Sequence, residues 1–388
     1  MSEYQFYEFR TIDRPFTAAE KAEIHTWSSR AEVDSHKAQF VYHYSDFHKN
    51  IEDAMFQYFD AMVYYANFGC KTLMFRFPLA LVNKKELVAY TFSDNIELLT
   101  KGDYVLLKIE ENIQDGGYED WIDEGGINLA DLMGVRQQII NGDYRALYLA
   151  WLYFHSPDSK ASFPDDYYEE EEENNEDDTA KMGAIEPPLP PHLKHLGSDL
   201  QHFADFWGLS EDWISAAAVG SKEKVEDIDN KADFIAKLPE AEKADFLLRL
   251  ANQEVNLGAV FLKRLKELEP KQKTVALQGR KVQEIAELAE EIKGKRLFKD
   301  NEIAQQKRLE TLEKTHKNRL LIWTETVSLL ALQTANGYDK GVENMENLYK
   351  AAEHFEDLPA YKAKLAATLA PHRTSKALMK RLKYFSFI

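Results

Sequence analysis

The stretch DDYYEEEEENNEDDTAKMGAIEPPLPPHLKHL, residues 165–196, divides the chain into two parts of different character. Its first fourteen residues, Asp165–Asp178, carry ten carboxylates, and a cluster of four prolines follows at 187–191. A run of like charges repels itself and cannot bury enough apolar surface to offset the entropy of ordering. The prolines favour an extended, semi-rigid spacer. We therefore predict an acidic, proline-ended linker at 157–193.

This linker sets the predicted domain boundaries. At 388 residues the chain exceeds the usual size of a single core. We predict a sheet domain at 1–156 before the linker and a helical domain at 194–388 after it. A second interpretation of the acidic run stays open, because its carboxylates could clamp onto basic helices elsewhere in the chain through salt-sensitive pairs.

Strand-like and helix-like stretches alternate before the linker. Aromatic and β-branched residues at 4–12, 38–44 and 71–78 are typical of strands. The Gly-Asp turn at 102–103 predicts a hairpin between two further strands. Residues 50–69 have apolar side chains at helical spacing and predict one helix. The N-terminal domain is therefore predicted to be α+β or α/β, with a mixed sheet covered by helices.

Only helical patterns follow the prolines, interrupted by glycines and prolines at intervals that suit stacked helical hairpins. The C-terminal domain is therefore predicted to be all-α. Within it, residues 271–319 are long and highly charged, with apolar residues at alternating spacings of three and four. This pattern predicts a helical hairpin, a short antiparallel coiled coil that turns near 294–301.

The charge is distributed unevenly along the chain. Residues 1–156 contain 24 acids and 14 bases, residues 157–188 contain 12 and 2, and the rest contain 30 and 32. The net charge of −18 thus comes from the first half and the linker, which argues against a general affinity for nucleic acid. The single cysteine, Cys70, suits a reducing compartment. We predict a soluble, cytoplasmic protein with no membrane span.

Motifs that would mark a reaction are missing from the sequence. It lacks the patterns GxxxxGK[ST], GxGxxG and GxSxG. No cofactor and no catalytic residue are predicted, and the interpretation leans toward a protein that is not an enzyme. The candidate metal site is His195, Asp199 and His202, which would share one face of a helix and could hold a divalent ion. The alternative is that these are surface or capping groups at the domain entry.

Basic residues dominate the C-terminal end, where residues 358–388 contain seven bases and no acid. An amphipathic basic helix can bind an acidic protein, nucleic acid or a membrane surface, or it can cap a domain with its lysines in water. The candidate partner-binding residues on this helix are Lys376, Lys380, Arg381 and Lys383.

Two adjacent tyrosines give a second candidate partner site. Tyr64 and Tyr65 lie in the predicted helix at 50–69, where they would point about 100° apart and could not both enter one core. An exposed aromatic ring there could anchor a partner.

Two parts of the sequence resemble known families. YQFYEFRTIDRPFTAAEKAEI (4–24) and YFDAMVYYANFGCKTLMFRFP (58–78) resemble the N-terminal region of uncharacterised bacterial proteins with the patterns Y-x-Y-Y-E-F-x-x-I-D-R-P and Y-F-D-A-x-x-Y-x-A-N-W-G. YKAKLAATLAPHRTSKALMKRL (361–382) is similar to the C-terminal helices of SWIM zinc-finger proteins. The cysteine and histidine zinc ligands of that family are absent from this chain, so the resemblance implies no zinc.

The resemblance implies a gene neighbourhood rather than an activity, since genes for SWIM proteins can lie near those for MoxR-type ATPases and von Willebrand A proteins. The leading hypothesis is a non-catalytic interaction or adaptor protein of such a bacterial multi-protein system, with a protein partner. The alternative is a nucleic-acid-binding protein that uses the basic C-terminal helices. The sequence predicts no oligomeric state.

Overall fold

The structure, a computed structural model, describes residues 4–43, 45–112, 128–159, 182–223, 231–268 and 279–383. Contacts within the chain divide it into two compact units, Met1–Ile292 and Lys293–Ile388. The acidic run at 165–178 lies outside the described residues, so the choice between tether and clamp stays a prediction.

The first unit is built on a seven-stranded sheet. The strands are β1 (Gln5–Arg10), β2 (Glu32–Val33), β3 (Lys37–Tyr42), β4 (Ala61–Ala66), β5 (Lys71–Pro78), β6 (Ile96–Lys101) and β7 (Tyr104–Glu111), in the order β2-β3-β1-β4-β5-β7-β6. The predicted hairpin is confirmed as β6 and β7, which turn at Gly102 with φ +58°, a left-handed conformation that favours glycine. Each described pairing is antiparallel, so the α+β class is confirmed and the sheet is antiparallel where we predicted a mixed one.

Helices surround this sheet and continue along the chain. They are α1 (Ala18–His25), α2 (Ile51–Tyr58), α3 (Lys84–Leu87), α4 (Met133–Ile140), α5 (Arg145–Phe154), α6 (Ser198–Trp207), α7 (Glu211–Ala218), α8 (Lys231–Lys237), α9 (Glu240–Ala251), α10 (Leu257–Glu267) and α11 (Val282–Lys317). Among the described residues, no helix of the protein combines the length and the apolar character needed to cross a membrane.

Both faces of the sheet are covered by apolar cores. Successive strand residues point to opposite faces, and Met62 and Val63 on β4 accordingly belong to different clusters, as do Met74 and Leu73 on β5. One cluster includes buried residues of α1 and α2, and the other includes those of α4, α5, α6 and α7. The central strands are therefore apolar on both sides.

The predicted helix at 50–69 is wrong in its second half. The chain leaves the helix at Phe59, whose backbone is extended (φ −121°, ψ 154°), and then forms β4. A strand buried on both faces is a continuous apolar run, which hydrophobic spacing alone cannot distinguish from a buried helix. Tyr64 and Tyr65 are consequently strand residues on opposite faces of the sheet.

A buried carboxylate, Asp60, lies between α2 and β4. Its Oδ2 accepts hydrogen bonds from the backbone N–H groups of Ile12 at 2.7 Å and Asp13 at 3.1 Å. Its Oδ1 accepts one from Arg76 at 2.8 Å and lies 3.9 Å from Arg136. Burial alone would raise the pKa of Asp60, but the positive charges of Arg136 and Arg76 hold it below its ordinary value. The two N-terminal stretches that carry the family resemblance thus meet at one carboxylate.

The proline-rich end of the predicted linker is packed into the first unit. Pro187 and Pro190 are buried. Glu186 accepts hydrogen bonds from Arg280 Nε and Nη2, both at 2.9 Å, and from the Tyr148 hydroxyl at 2.8 Å. Arg280 also donates to backbone carbonyl groups near the end of α7. This segment therefore belongs to a folded core.

The predicted ranges 1–156, 157–193 and 194–388 do not coincide with the observed division. On the other side of the acidic run, Ser159 is fully buried and its hydroxyl donates to Glu111 at 3.3 Å. Both flanks of the run are thus held by the first unit, which ends at Ile292. Composition alone does not reveal that helices α6 and α7 pack with the sheet domain.

The second unit is helical, as predicted. It contains the end of α11, then α12 (Arg319–Ala331), α13 (Ala335–His354), α14 (Leu358–Leu369) and α15 (Lys376–Leu382), around a core that includes Trp323, Leu330, Met345, Tyr361 and Leu378. A Cβ added to Gly337 would lie 2.6 Å from the carbonyl oxygen of Leu329. A Cβ added to Gly341 would lie 2.8 Å from the Leu330 side chain, so α12 and α13 depend on these glycines for their close approach.

The hairpin predicted within 271–319 is replaced by a single helix. α11 runs without interruption for 36 residues through the expected turn at 294–301. Gly294 and Asn301 are tolerated inside it, because neither requires a special backbone angle in a helix. The apolar spacing that predicts a coiled coil is present, but residues 271–319 do not supply the second helix that a coiled coil needs.

Candidate functional site

A groove opens between α12, α13 and α14 in the second unit. Its volume is about 210 Å³. The apolar side chains that line it are Leu320, Trp323, Leu348, Ala351, Ala352, Ala360 and Tyr361. Four polar residues complete the lining: His316, Arg319, Asp357 and Lys364. We refer to this site as the helical groove.

Two aromatic rings form the buried base of the helical groove. Trp323 is 5% exposed and Tyr361 is 4% exposed, with their ring centroids 5.6 Å apart. The Tyr361 hydroxyl donates a hydrogen bond to the Met345 carbonyl at 3.0 Å, and burial raises the pKa of Tyr361. The phenol is therefore neutral and fixed, which suits a packing surface rather than a proton-transfer group.

The polar edge of the groove is mainly cationic. Arg319 Nε lies 3.9 Å from Asp357 Oδ2, and these side chains are 45% and 34% exposed. Exposed pairs of this kind contribute only about 0–1 kcal/mol, so Arg319 can turn to another carboxylate at small cost. Lys364 is exposed and, within the described residues, forms no ion pair. An anionic group is the ligand that this edge favours.

Exposed leucines adjoin the cationic edge. Leu320 is 73% exposed and Leu321 is 70% exposed at the start of α12. Leu320 also lines the groove, so the apolar lining continues onto the surface. Contiguous exposed apolar surface is typical of a site that binds another molecule.

A second feature, which shares Lys364 with the groove, is a set of cations on α14 and in the residues that follow it. Six cations there are exposed, and none of them forms an ion pair within the part of the chain that the structure describes. We call these residues the basic surface: Lys362, Lys364, Arg373, Lys376, Lys380 and Lys383. The second unit carries 18 bases and 11 acids, a net charge of +7, whereas residues 1–292 carry 30 bases and 55 acids, a net charge of −25.

The predicted partner-binding helix is α15. Leu378 and Leu382 are buried, so α15 covers the core of the second unit while Lys376, Lys380 and Lys383 are exposed. Arg381 differs from these lysines, because its Nε lies 2.5 Å from Asp339 Oδ1 and its guanidinium lies 5.9 Å from the Tyr338 ring. Arg381 therefore holds α15 on α13. The three lysines stay candidates for partner binding.

The tyrosine pair gives a weaker candidate. Tyr65 is 2% exposed. Tyr64 is half-buried, stacks on Tyr7 with a centroid distance of 4.5 Å and donates a hydrogen bond to Gln5 Oε1 at 3.3 Å. Neither ring is presented as an exposed anchor, and a partner role for Tyr64 stays a prediction.

The structure does not bring the predicted metal ligands together. α6 begins at Ser198, so His195 precedes the helix and does not share a helical face with Asp199 and His202. Asp199 accepts a hydrogen bond from Gln138 at 3.2 Å across α4 and α6, and His195 and His202 are exposed. Among the described residues, no group of three His, Cys, Asp or Glu side chains could hold a metal ion.

Sequence reasoning missed the helical groove. Its base comes from Trp323 on α12 and Tyr361 on α14, which are distant in sequence. Its polar edge comes from His316 on α11, Arg319 on α12, Lys364 on α14 and Asp357, which precedes α14. One signal was available: the run LLIWTETVSLLAL, from Leu320, has apolar residues on more sides than one core face needs.

Comparison with family models, curated proteins and solved structures finds no match to this chain. The resemblance to the bacterial family and to the ends of SWIM proteins therefore stays a prediction, and the helical groove is interpreted from its own chemistry.

Proposed function

We propose that the protein is a non-catalytic interaction protein that binds an acidic segment of a protein partner at the helical groove and the adjoining basic surface. The observation that carries the proposal is that the exposed side chain of Leu320 and the cations Arg319 and Lys364 line the same apolar groove. A segment that combines carboxylates with an apolar side chain complements both parts.

The same geometry favours a protein over nucleic acid, the alternative partner. Proteins that bind single strands offer aromatic faces on which bases stack, but the rings of Trp323 and Tyr361 are buried. Binding through phosphates alone would need cations and would make no use of exposed Leu320 and Leu321. A membership in a multi-protein system with SWIM, MoxR-type and von Willebrand A proteins is supported only by the sequence resemblance.

A charge reversal at the groove tests this proposal. We expect Lys364→Glu to weaken binding of a fluorescent peptide of alternating glutamate and leucine about tenfold or more, because it sets a carboxylate against the ligand's own carboxylates. The measurement is fluorescence anisotropy with the full chain. Lys350→Glu is the matched control, since Lys350 is a half-exposed lysine on α13 outside the groove. We expect the control to change the affinity by no more than about twofold.

Two results would contradict the proposal. One is equal weakening by Lys364→Glu and Lys350→Glu, which would indicate attraction to net charge alone. The other is tighter binding of a single- or double-stranded DNA oligonucleotide than of the peptide, with a steep dependence on salt, which would establish the nucleic-acid alternative.

A further inference from the structure

One segment of the second unit is exposed over an unusual length. In α11, all residues from 293 to 311 are exposed. This corresponds to about 28 Å of helix at about 1.5 Å per residue. Helices in proteins are held mainly by packing of an apolar face rather than by intrinsic propensity. A single chain therefore does not supply the packing partner that would stabilise a helix of this length.

Apolar side chains near both ends of this exposed segment lie on one face of the helix. Leu297 is 52% exposed, Phe298 is 67% exposed and Leu309 is 41% exposed, and Leu312 follows at the end of the segment. At about 100° per residue these four side chains fall within about 120° of one another. The fifth apolar residue, Ile303, which is 41% exposed, falls on the opposite face. We call this face the stripe. Asn301, Gln305 and Arg308 lie on it between the two apolar ends, and it has the width of a coiled-coil contact surface.

The charges along the segment are arranged in blocks. Four bases come first (Lys293, Lys295, Arg296 and Lys299), then Asp300 and Glu302, then Lys307 and Arg308, then Glu310 and Glu313. Two parallel copies in register would set every block against an identical block. At about 100° per residue, the charges that lie on the stripe or flank it are Lys293, Lys295, Glu302, Arg308 and Glu313. Antiparallel copies that cross near residue 304 would set Lys295 against Glu313 and would bring Glu302 near Arg308. Complementary flanking charges select the orientation of such pairs.

We infer that a second copy of this chain covers the stripe, and that residues 293–317 of the two copies pair as an antiparallel coiled coil. Of the apolar residues whose spacing predicts a coiled coil, Leu309 and Leu312 would then be covered by the second copy, whereas Val282, Ile285 and Ala289 are buried in the core of the first unit. The inference does not depend on the proposed function, because the stripe and the helical groove share only the end of α11, at His316.

The association state of the full chain tests the inference. We expect a dimer by sedimentation equilibrium at micromolar concentration, and at least about a hundredfold weaker association of the double variant Phe298→Glu, Leu309→Glu, because four like charges would then lie in the contact. Both side chains are exposed in the single chain, so the variant is expected to keep its circular dichroism spectrum. Ile303→Glu is the matched control and should remain dimeric. A monomeric wild type, or a double variant that dimerises as well as the control, would overturn the inference.

Single cysteines test the orientation. Antiparallel copies that cross near residue 304 bring their two Gln305 positions together, whereas their Asn301 positions are at least about 9 Å apart along the axis. Cα atoms separated by more than about 7 Å cannot form a disulfide. We therefore expect oxidation to cross-link Gln305→Cys but not Asn301→Cys, with the native Cys70 buried in both variants. Equal cross-linking of the two variants would indicate parallel helices and reject the antiparallel pairing.

Discussion

Replacing Asp60 by alanine is expected to lower the free energy of unfolding of the first unit by about 3–5 kcal/mol. Asp60 is 1% exposed, and its removal would leave Arg76 and Arg136 without the carboxylate that both of them contact. The backbone N–H groups of Ile12 and Asp13 would also lose their acceptor. Urea titration followed by tryptophan fluorescence measures the effect, since five of the six tryptophans belong to residues 1–292.

Asp53→Ala is the matched control for this prediction. Asp53 forms an ion pair with Lys101 at 2.7 Å, but its side chain is 66% exposed. Loss of an exposed pair is expected to cost less than about 1 kcal/mol. Similar effects of the two substitutions would show that the Asp60 cluster does not stabilise the fold.

The pH dependence of the free energy of unfolding gives a second test of the role of Asp60. Because the pKa of Asp60 is lower in the folded protein than in the unfolded chain, the carboxylate stabilises the fold above its unfolded pKa, about 3.9. That contribution is lost as the pH falls through the folded pKa. Below about pH 4, the Asp60→Ala variant should therefore lose stability less steeply than the wild type. An identical acid dependence of the two proteins would rule out this role for Asp60.

The second large effect is expected from Gly337→Ala in the other unit. The new methyl group would lie 2.6 Å from the backbone carbonyl oxygen of Leu329, which cannot move without separating α12 from α13. Overpacking of this kind costs about 1–3 kcal/mol. Hydrogen exchange of the amides of α12 and α13, followed by mass spectrometry, should show faster exchange in the variant because their local stability falls.

Gly294→Ala separates the steric effect from the general effect of a glycine replacement. A Cβ at Gly294 would meet nothing within 4 Å. In a helix, alanine is more stable than glycine by about 0.5–1 kcal/mol, so this control should slow exchange in α11. Unchanged exchange of α12 and α13 in Gly337→Ala would show that the two helices do not need the glycine.

The features that could be predicted from the sequence are those that depend on residues close together in the chain. The Gly-Asp turn of β6 and β7 and the helical character of the second unit follow from patterns within a few residues, and both are confirmed. The sequence predicts a helix at residues 61–66, because a strand that is buried on both faces is apolar throughout, and only its tertiary packing distinguishes it from a buried helix. The helical groove was beyond prediction for a related reason: Trp323 and Tyr361 become neighbours only when α12, α13 and α14 assemble.

Ser159 and Glu186 are anchored on either side of the acidic run, and this determines how the number of residues between them can vary in evolution. Both anchors belong to the same folded unit. The entropy cost of joining two anchored positions grows by only about 0.6 kcal/mol for each doubling of the number of residues between them. Insertions and deletions between residues 160 and 181 should therefore accumulate during evolution without altering the connection between the two units, which the chain makes at residues 292 and 293.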